Sequence, residues 1–127
     1  MQGRNFQGIN KLYVDVDETL VFWDDPSYPY VGEYIINDEL VQVIHKVLDQ
    51  DIYEVIVWSG GGKAWAEEIR ELLFPNYQLQ CFAKFSHWKK ELPEGVLAID
   101  NRRQEERDYL QKFSKVFSPK EFIKEYK

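Results

Sequence analysis

The chain has 127 residues, of which 44% are hydrophobic and 16% aromatic, enough apolar material for a packed core and too much for a disordered polymer. Its formal net charge of -6 at pH 7 argues against non-specific binding to nucleic acid or to an anionic membrane surface. A lone cysteine, Cys81, rules out an internal disulfide and fits a reducing compartment. No apolar run approaches the roughly 20 residues that span a bilayer, so the expectation is a soluble, cytoplasmic protein with residues 1–127 in one domain.

Residues 1–10 are polar and read as a loosely docked lead-in. Lys11 to Val16 is the first predicted strand, in which Leu12-Tyr13-Val14 suits burial and Asp15-Val16-Asp17-Glu18-Thr19-Leu20 ends the run abruptly. Two carboxylates in the middle of a buried strand would carry a large desolvation cost. The acids are therefore expected at the strand end, where open parallel α/β sheets bind their ligands. On extended backbone, side chains two residues apart point the same way, so Asp15 and Asp17 are expected to converge. Converging carboxylates repel unless a proton or a cation lies between them, and a hard cation such as Mg²⁺ would serve. Residues 20–36 place Asp24-Asp25-Pro26 among aromatics and predict a short hairpin, a flap over that strand end.

Asn37 is a predicted N-cap, with Asp38 and Glu39 in the first turn and Leu40, Ile44, Val47 and Leu48 as the buried stripe of a helix that runs to about Gln50. Tyr53 to Trp58 is a second strand and ends in Ser59-Gly60-Gly61-Gly62. A helix follows with Trp65, Ile69, Leu72 and Leu73 on one face, stopped by Pro75. Leu79 to Ala83 is a third strand ending at Lys84; His87 to Glu91 forms a helical turn; Val96 to Ile99 is a fourth strand ending at Asp100. Asn101 to Gln111 reads as a solvated helix and Lys115-Val116-Phe117 as a last short strand. Ser118-Pro119-Lys120-Glu121 is a capping box that opens a final helix burying Phe122 and Ile123. Strands alternating with helices predict a three-layer, Rossmann-like α/β sandwich with a mostly parallel central sheet. Its strand ends would bring an acid pair, a hydroxyl with glycine amides, a cation and a further acid to one edge.

That order of groups resembles the haloacid dehalogenase superfamily, whose phosphatases carry Asp-x-Asp-x-Thr on the first strand. The matching residues are Asp15, Asp17 and Thr19, then Ser59 with Gly60, then Lys84 (with Lys89 and Lys90 as alternatives), then Asp100-Asn101. The resemblance spans nearly the whole chain and implies a small, capless member. It further implies a Mg²⁺-dependent phosphomonoester hydrolase working through an aspartyl-phosphate on Asp15, with Asp17 as proton donor and acceptor. By the same resemblance Thr19, Ser59, Gly60 and Lys84 would hold the phosphate. Asp15, the backbone carbonyl of Asp17, Asp100 and Asn101 would hold Mg²⁺ or its water. Glu18 stands where many relatives have glycine, and Asn101 where many have a second aspartate.

The expected partner is a phosphorylated substrate that the sequence does not name. A nucleic-acid 3′-phosphatase is one alternative, and a catalytically silent phosphate-binding or interaction module on the same scaffold is another. A capless site lies open, which leaves room for a homo-oligomer to supply a lid. Flap aromatics such as Trp23 and Tyr34 either stack on a substrate or pack the flap onto the core. His45 reads as structural or solvent-facing, His87 as peripheral, Cys81 as a small core residue and Lys63 as a helix start.

Overall fold

The computed structural model describes residues 10–25, 32–90, 97–100, 113 and 115–127, without the side chains of 88–90. Five strands form the central sheet: β1 (Lys11–Asp15), β4 (Glu54–Ser59), β5 (Gln80–Ala83), β6 (Leu97–Ile99) and β7 (Lys115–Phe117). Every pairing among them is parallel, and their spatial order is β5-β4-β1-β6-β7. Between β1 and β4 the chain makes a separate antiparallel hairpin, β2 (Val21–Trp23) with β3 (Tyr34–Ile36). The helices are α1 (Asp38–Asp49), α2 (Lys63–Leu73), α3 (Lys84–Lys90) and α4 (Pro119–Tyr126). The fold is a Rossmann-like α/β arrangement around a parallel sheet, as the alternation of strand and helix patterns predicts.

β1 is the middle strand, and its composition follows from that position, since a strand covered on both faces has no polar side to present. Leu12 and Val14 point to one face and share a core with Val55, Val57, Ile99, Phe117 and the inner sides of α1, α2 and α4. Tyr13 points to the other face and packs with Ile56, Trp58, Ala98 and Phe113. His87 of α3 covers that second face: its ring lies on Phe82 at a centroid distance of 3.9 Å, and its Nε2 is 2.8 Å from the Tyr13 hydroxyl. It is therefore buried packing, not a peripheral residue. On α4, Phe122 is fully buried against Phe117 and Tyr126; truncating such a phenyl costs about 3–5 kcal/mol.

Local signals place the helix ends. Asn37 accepts the Leu40 N–H on its side chain, and Pro75 follows two residues after α2. The capping box of Ser118 and Glu121 is complete in both directions. The predicted face of α2 needs one correction. Leu72 is 53% exposed, and the buried stripe is Ala66, Ile69 and Leu73, the three- and four-residue spacing that keeps a helix face in line. The predicted turn at His87 to Glu91 begins earlier, with Lys84 as the first residue of α3 directly after β5. The predicted helix at 101–111 lies outside the described residues. No helix among the described residues is long and apolar enough to cross a membrane.

The topology selects an edge. From β1 the chain steps outward to β4 and β5, then returns to the opposite side of β1 for β6 and β7. The reversal falls at β1, and in open parallel sheets such a reversal leaves a crevice beyond the strands' carboxyl ends. Those ends carry Asp15, Ser59, Ala83 followed by Lys84, and Ile99 followed by Asp100.

Candidate active site

Val14 and Ile99 are paired in register, so Asp15 and Asp100 leave adjacent strands side by side. Lys84, the first residue of α3, reaches both: its Nζ is 2.8 Å from Asp100 Oδ2 and 3.2 Å from Asp15 Oδ1. All three side chains are buried, with Asp15 and Lys84 each 4% and Asp100 1% exposed. Burial pushes the Asp15 carboxyl up from 3.8 to about 7. The Lys84 ammonium pulls it down by charge and by hydrogen bonding, while repulsion from Asp100 and then Asp17 adds to the rise. Thr19, fully buried, directs its hydroxyl towards Asp15 Oδ2 at 3.4 Å.

Asp17 does not continue the strand. β1 stops at Asp15, and the amides of Thr19, Leu20 and Val21 all turn back to the Val16 carbonyl. Glu18 adopts φ 60 within that turn, a left-handed conformation that costs a residue with a side chain. Its carboxylate in turn accepts the Trp23 backbone N–H at 2.7 Å. The turn carries the Asp17 carboxylate towards β4 and α2, where Oδ2 accepts the Ser59 hydroxyl at 3.1 Å. Oδ1 accepts two indole N–H groups, from Trp23 at 2.9 Å and Trp65 at 3.0 Å. The expectation that Asp15 and Asp17 meet at one spot through strand alternation is thereby corrected. They are close enough to repel, but they reach different partners, because the period of two ends where the strand ends.

Around these groups the chain is tightly specified. The Ser59 hydroxyl oxygen also accepts the Gly61 N–H at 2.9 Å. A Cβ at Gly61 would lie 3.2 Å from Trp65 Cδ1 and 3.3 Å from Ser59 Oγ, a tight fit in which those side chains would have to give by a few tenths of an ångström. Gly60 lies exposed in the same turn, and Gly62, at φ +113, opens α2. Asn37 both caps α1 and donates from Nδ2 to the Thr19 carbonyl at 3.0 Å, tying the acid turn to the first helix. Trp23, Tyr34 and Trp65 pack edge to face or tilted, with centroids 5.1 to 5.9 Å apart. Trp23 and Tyr34 of the flap thus pack the hairpin onto α2.

Of the predicted site residues, Asp15, Asp17, Thr19, Ser59, Lys84 and Asp100 come together at one sheet edge, with Gly60 beside Ser59. Asn101 and the side chains of Lys89 and Lys90 lie outside the description. Lys63 starts α2 and pairs with Glu67 at the surface. His45 Nε2 bonds the Leu73 carbonyl, a structural role, and Cys81 is a core residue whose thiol is pushed up by burial. Trp23 was expected either to stack on a substrate or to pack the flap, not to bond Asp17, and Trp65 and Asn37 were not predicted as site residues. The only advance signal was chemical: a tryptophan partly buried near an acid turn needs an acceptor for its N–H.

No group of three His, Cys, Asp or Glu side chains surrounds a common point among the described residues. The donor set nevertheless suits Mg²⁺, which takes one or two carboxylates and fills its remaining positions with water and phosphate oxygen. Asp15 and Asp100 already converge on one positive charge. Among the described residues three buried carboxylates, Asp15, Asp17 and Asp100, gather at this edge and Lys84 pairs with two of them, an imbalance that a divalent ion would relieve.

The fold thus defines the class, a Rossmann-like α/β chain with a buried cluster of charges at the carboxyl end of its central strand. No protein-family model matches the chain, and no curated protein or solved structure matches it either.

Proposed function

We propose that the chain is a Mg²⁺-dependent phosphomonoesterase of the haloacid dehalogenase type, without a separate cap domain. What carries the proposal is the meeting of Asp15, Lys84 and Asp100, a buried carboxylate nucleophile with a fixed ammonium and a second carboxylate beside it. The start of α2 lies next to Ser59, and helix N-termini of this kind favour phosphate oxygens.

In the first step a carboxylate oxygen of Asp15 attacks phosphorus and the bond from phosphorus to the ester oxygen breaks. Asp17 gives its proton to the departing alkoxide. In the second step water attacks the aspartyl-phosphate, Asp17 takes the water's proton, and the bond from phosphorus to Asp15 breaks to release phosphate. Lys84, Thr19 and the Ser59-Gly60 turn hold phosphate oxygens in line for both displacements. Mg²⁺, held by Asp15, Asp100 and the Asp17 carbonyl, with Asn101 added by resemblance, would supply charge that offsets the repulsion between carboxylate and phosphate dianion. The hairpin reaches Asp17 from within the same chain, which supports a self-contained site over one completed by a neighbouring subunit.

A panel of sugar phosphates, nucleotides and a 3′-phosphorylated oligonucleotide, each with Mg²⁺ or with EDTA, tests the proposal. Metal-dependent phosphate release is expected, and Asp15→Asn and Asp17→Asn should each lower it by a factor of about 10² to 10⁴. Release that survives Asp15→Asn at the wild-type rate would sink the mechanism. Silence across the panel, with binding of phosphate retained, would favour the non-catalytic module.

A further inference from the structure

The two indoles on Asp17 come from elements that share no other task in the site. Trp23 stands on β2 of the hairpin and Trp65 on α2, and both aim their single N–H at the same oxygen, Oδ1. Their rings are 5.9 Å apart, and Tyr34 packs against both, so neither indole can swing alone without breaking the cluster. The second oxygen, Oδ2, is held by Ser59, whose own oxygen is fixed by the Gly61 amide. The Asp17 carboxyl is thus fixed through β2, β4 and α2 together, and all three side-chain donors are neutral. A group that must give and then take a proton needs fixed geometry more than a permanent counter-charge, because small displacements of such a group cost large factors in rate.

From this geometry we infer that Trp23 and Trp65 are positioning residues for Asp17, and that the hairpin belongs to the catalytic apparatus through Trp23. The inference rests on the phosphomonoesterase proposal and deepens it. The competing explanation is packing, in which the indoles join the hairpin to α2 and take the nearest acceptor.

Leaving-group dependence separates the two. An alkyl phosphate needs a proton on its departing oxygen, whereas p-nitrophenyl phosphate releases a stable anion that needs none. Trp23→Phe and Trp65→Phe keep an aromatic ring and remove only the N–H donor. Rates are measured in the first turnover, so that only formation of the phosphoenzyme is read. Each variant should lose roughly tenfold on the alkyl phosphate and less than about twofold on p-nitrophenyl phosphate. In an Asp17→Asn background neither change should have a further effect on the alkyl substrate, because the group being aimed is gone. Equal losses on both substrates, or no loss on either, would reduce the indoles to packing. If Trp23→Phe lowers the melting temperature by loosening the hairpin, Trp65→Phe on α2 carries the test. A wild-type protein that turns over neither substrate would overturn the phosphatase proposal and this role with it. That result is distinct from an active protein whose variants show no leaving-group dependence.

Discussion

Asp15 and Asp17 stand two residues apart, and the fold treats them by opposite means. Around Asp15, apart from the Thr19 hydroxyl at 3.4 Å, the partners are charged: a buried ammonium at 3.2 Å and, sharing that ammonium, the carboxylate of Asp100. Around Asp17 the side-chain donors are a hydroxyl and two indoles, all neutral. The difference shows that a pair of identical residues in a short motif need not act as a pair. In the first region desolvation and Coulomb forces dominate, and in the second it is the direction of hydrogen bonds. Substitutions in the two regions should therefore differ in size and in their response to pH.

The largest effect is expected from Lys84→Met. Removing one partner from a buried ionic cluster costs about 3–5 kcal/mol, here because Asp15 and Asp100 would be left facing each other. Urea unfolding should show that loss, and adding Asp100→Asn should recover part of it. A variant as stable as wild type would mean that the Lys84 ammonium gives the cluster no net stabilisation.

Next in size is the pH response of the metal-free protein. Folded Asp15 keeps its proton up to about pH 7, whereas the unfolded chain releases it near 3.8. The folded state therefore binds more protons between those values, and this carboxyl's contribution to stability falls as pH rises through the window. The fall should be on the order of 2–4 kcal/mol. Asp15→Asn removes it, so the variant should unfold at higher urea than wild type at pH 8 and at nearly the same urea at pH 4. Parallel curves for the two proteins would contradict the charged description of this region.

In the neutral region, Ser59→Ala removes one donor to Asp17 and the acceptor of the Gly61 N–H, at an expected cost of about 1–2 kcal/mol with little change between pH 5 and 8. A strong pH response would show that this region is ionic too. The smallest effects belong to Glu18. Glu18→Ala should lose about 1 kcal/mol with its bond to the Trp23 amide. Glu18→Gly relieves the left-handed backbone and should return to within about 0.5 kcal/mol of wild type. Identical melting temperatures for the two variants would remove the backbone explanation.

Much of this site could be read from the chain before any fold was known. Asp15, Ser59, Lys84 and Asp100 announce themselves because each follows an apolar run short enough to be a buried strand, and parallel strands align such endings. Asn37 and Ser118 were legible for a local reason, since a cap acts on amides a few residues away. What stayed hidden was long-range. The orientation of Asp17 depends on a turn that closes on the Val16 carbonyl and on donors from β2 and α2, and no periodicity encodes those. Leu72 stands at helical spacing from Trp65 and Ile69, yet the face that α2 buries is centred on Ala66, Ile69 and Leu73 and leaves Leu72 exposed. The left-handed conformation of Glu18 likewise shows only in the backbone geometry.

The pairing of β1 with β6 joins residues 11–15 to residues 97–99. During translation the Asp15 carboxyl leaves the ribosome well before Lys84 and Asp100, which complete its surroundings. At roughly 5–20 residues per second the interval is on the order of ten seconds. Throughout that delay Asp15 is an ordinary solvated side chain with nothing to aim it. The buried charge cluster and the central sheet therefore arrive in the same event, and a nascent chain halted before β6 would lack Asp100 and its ion pair with Lys84.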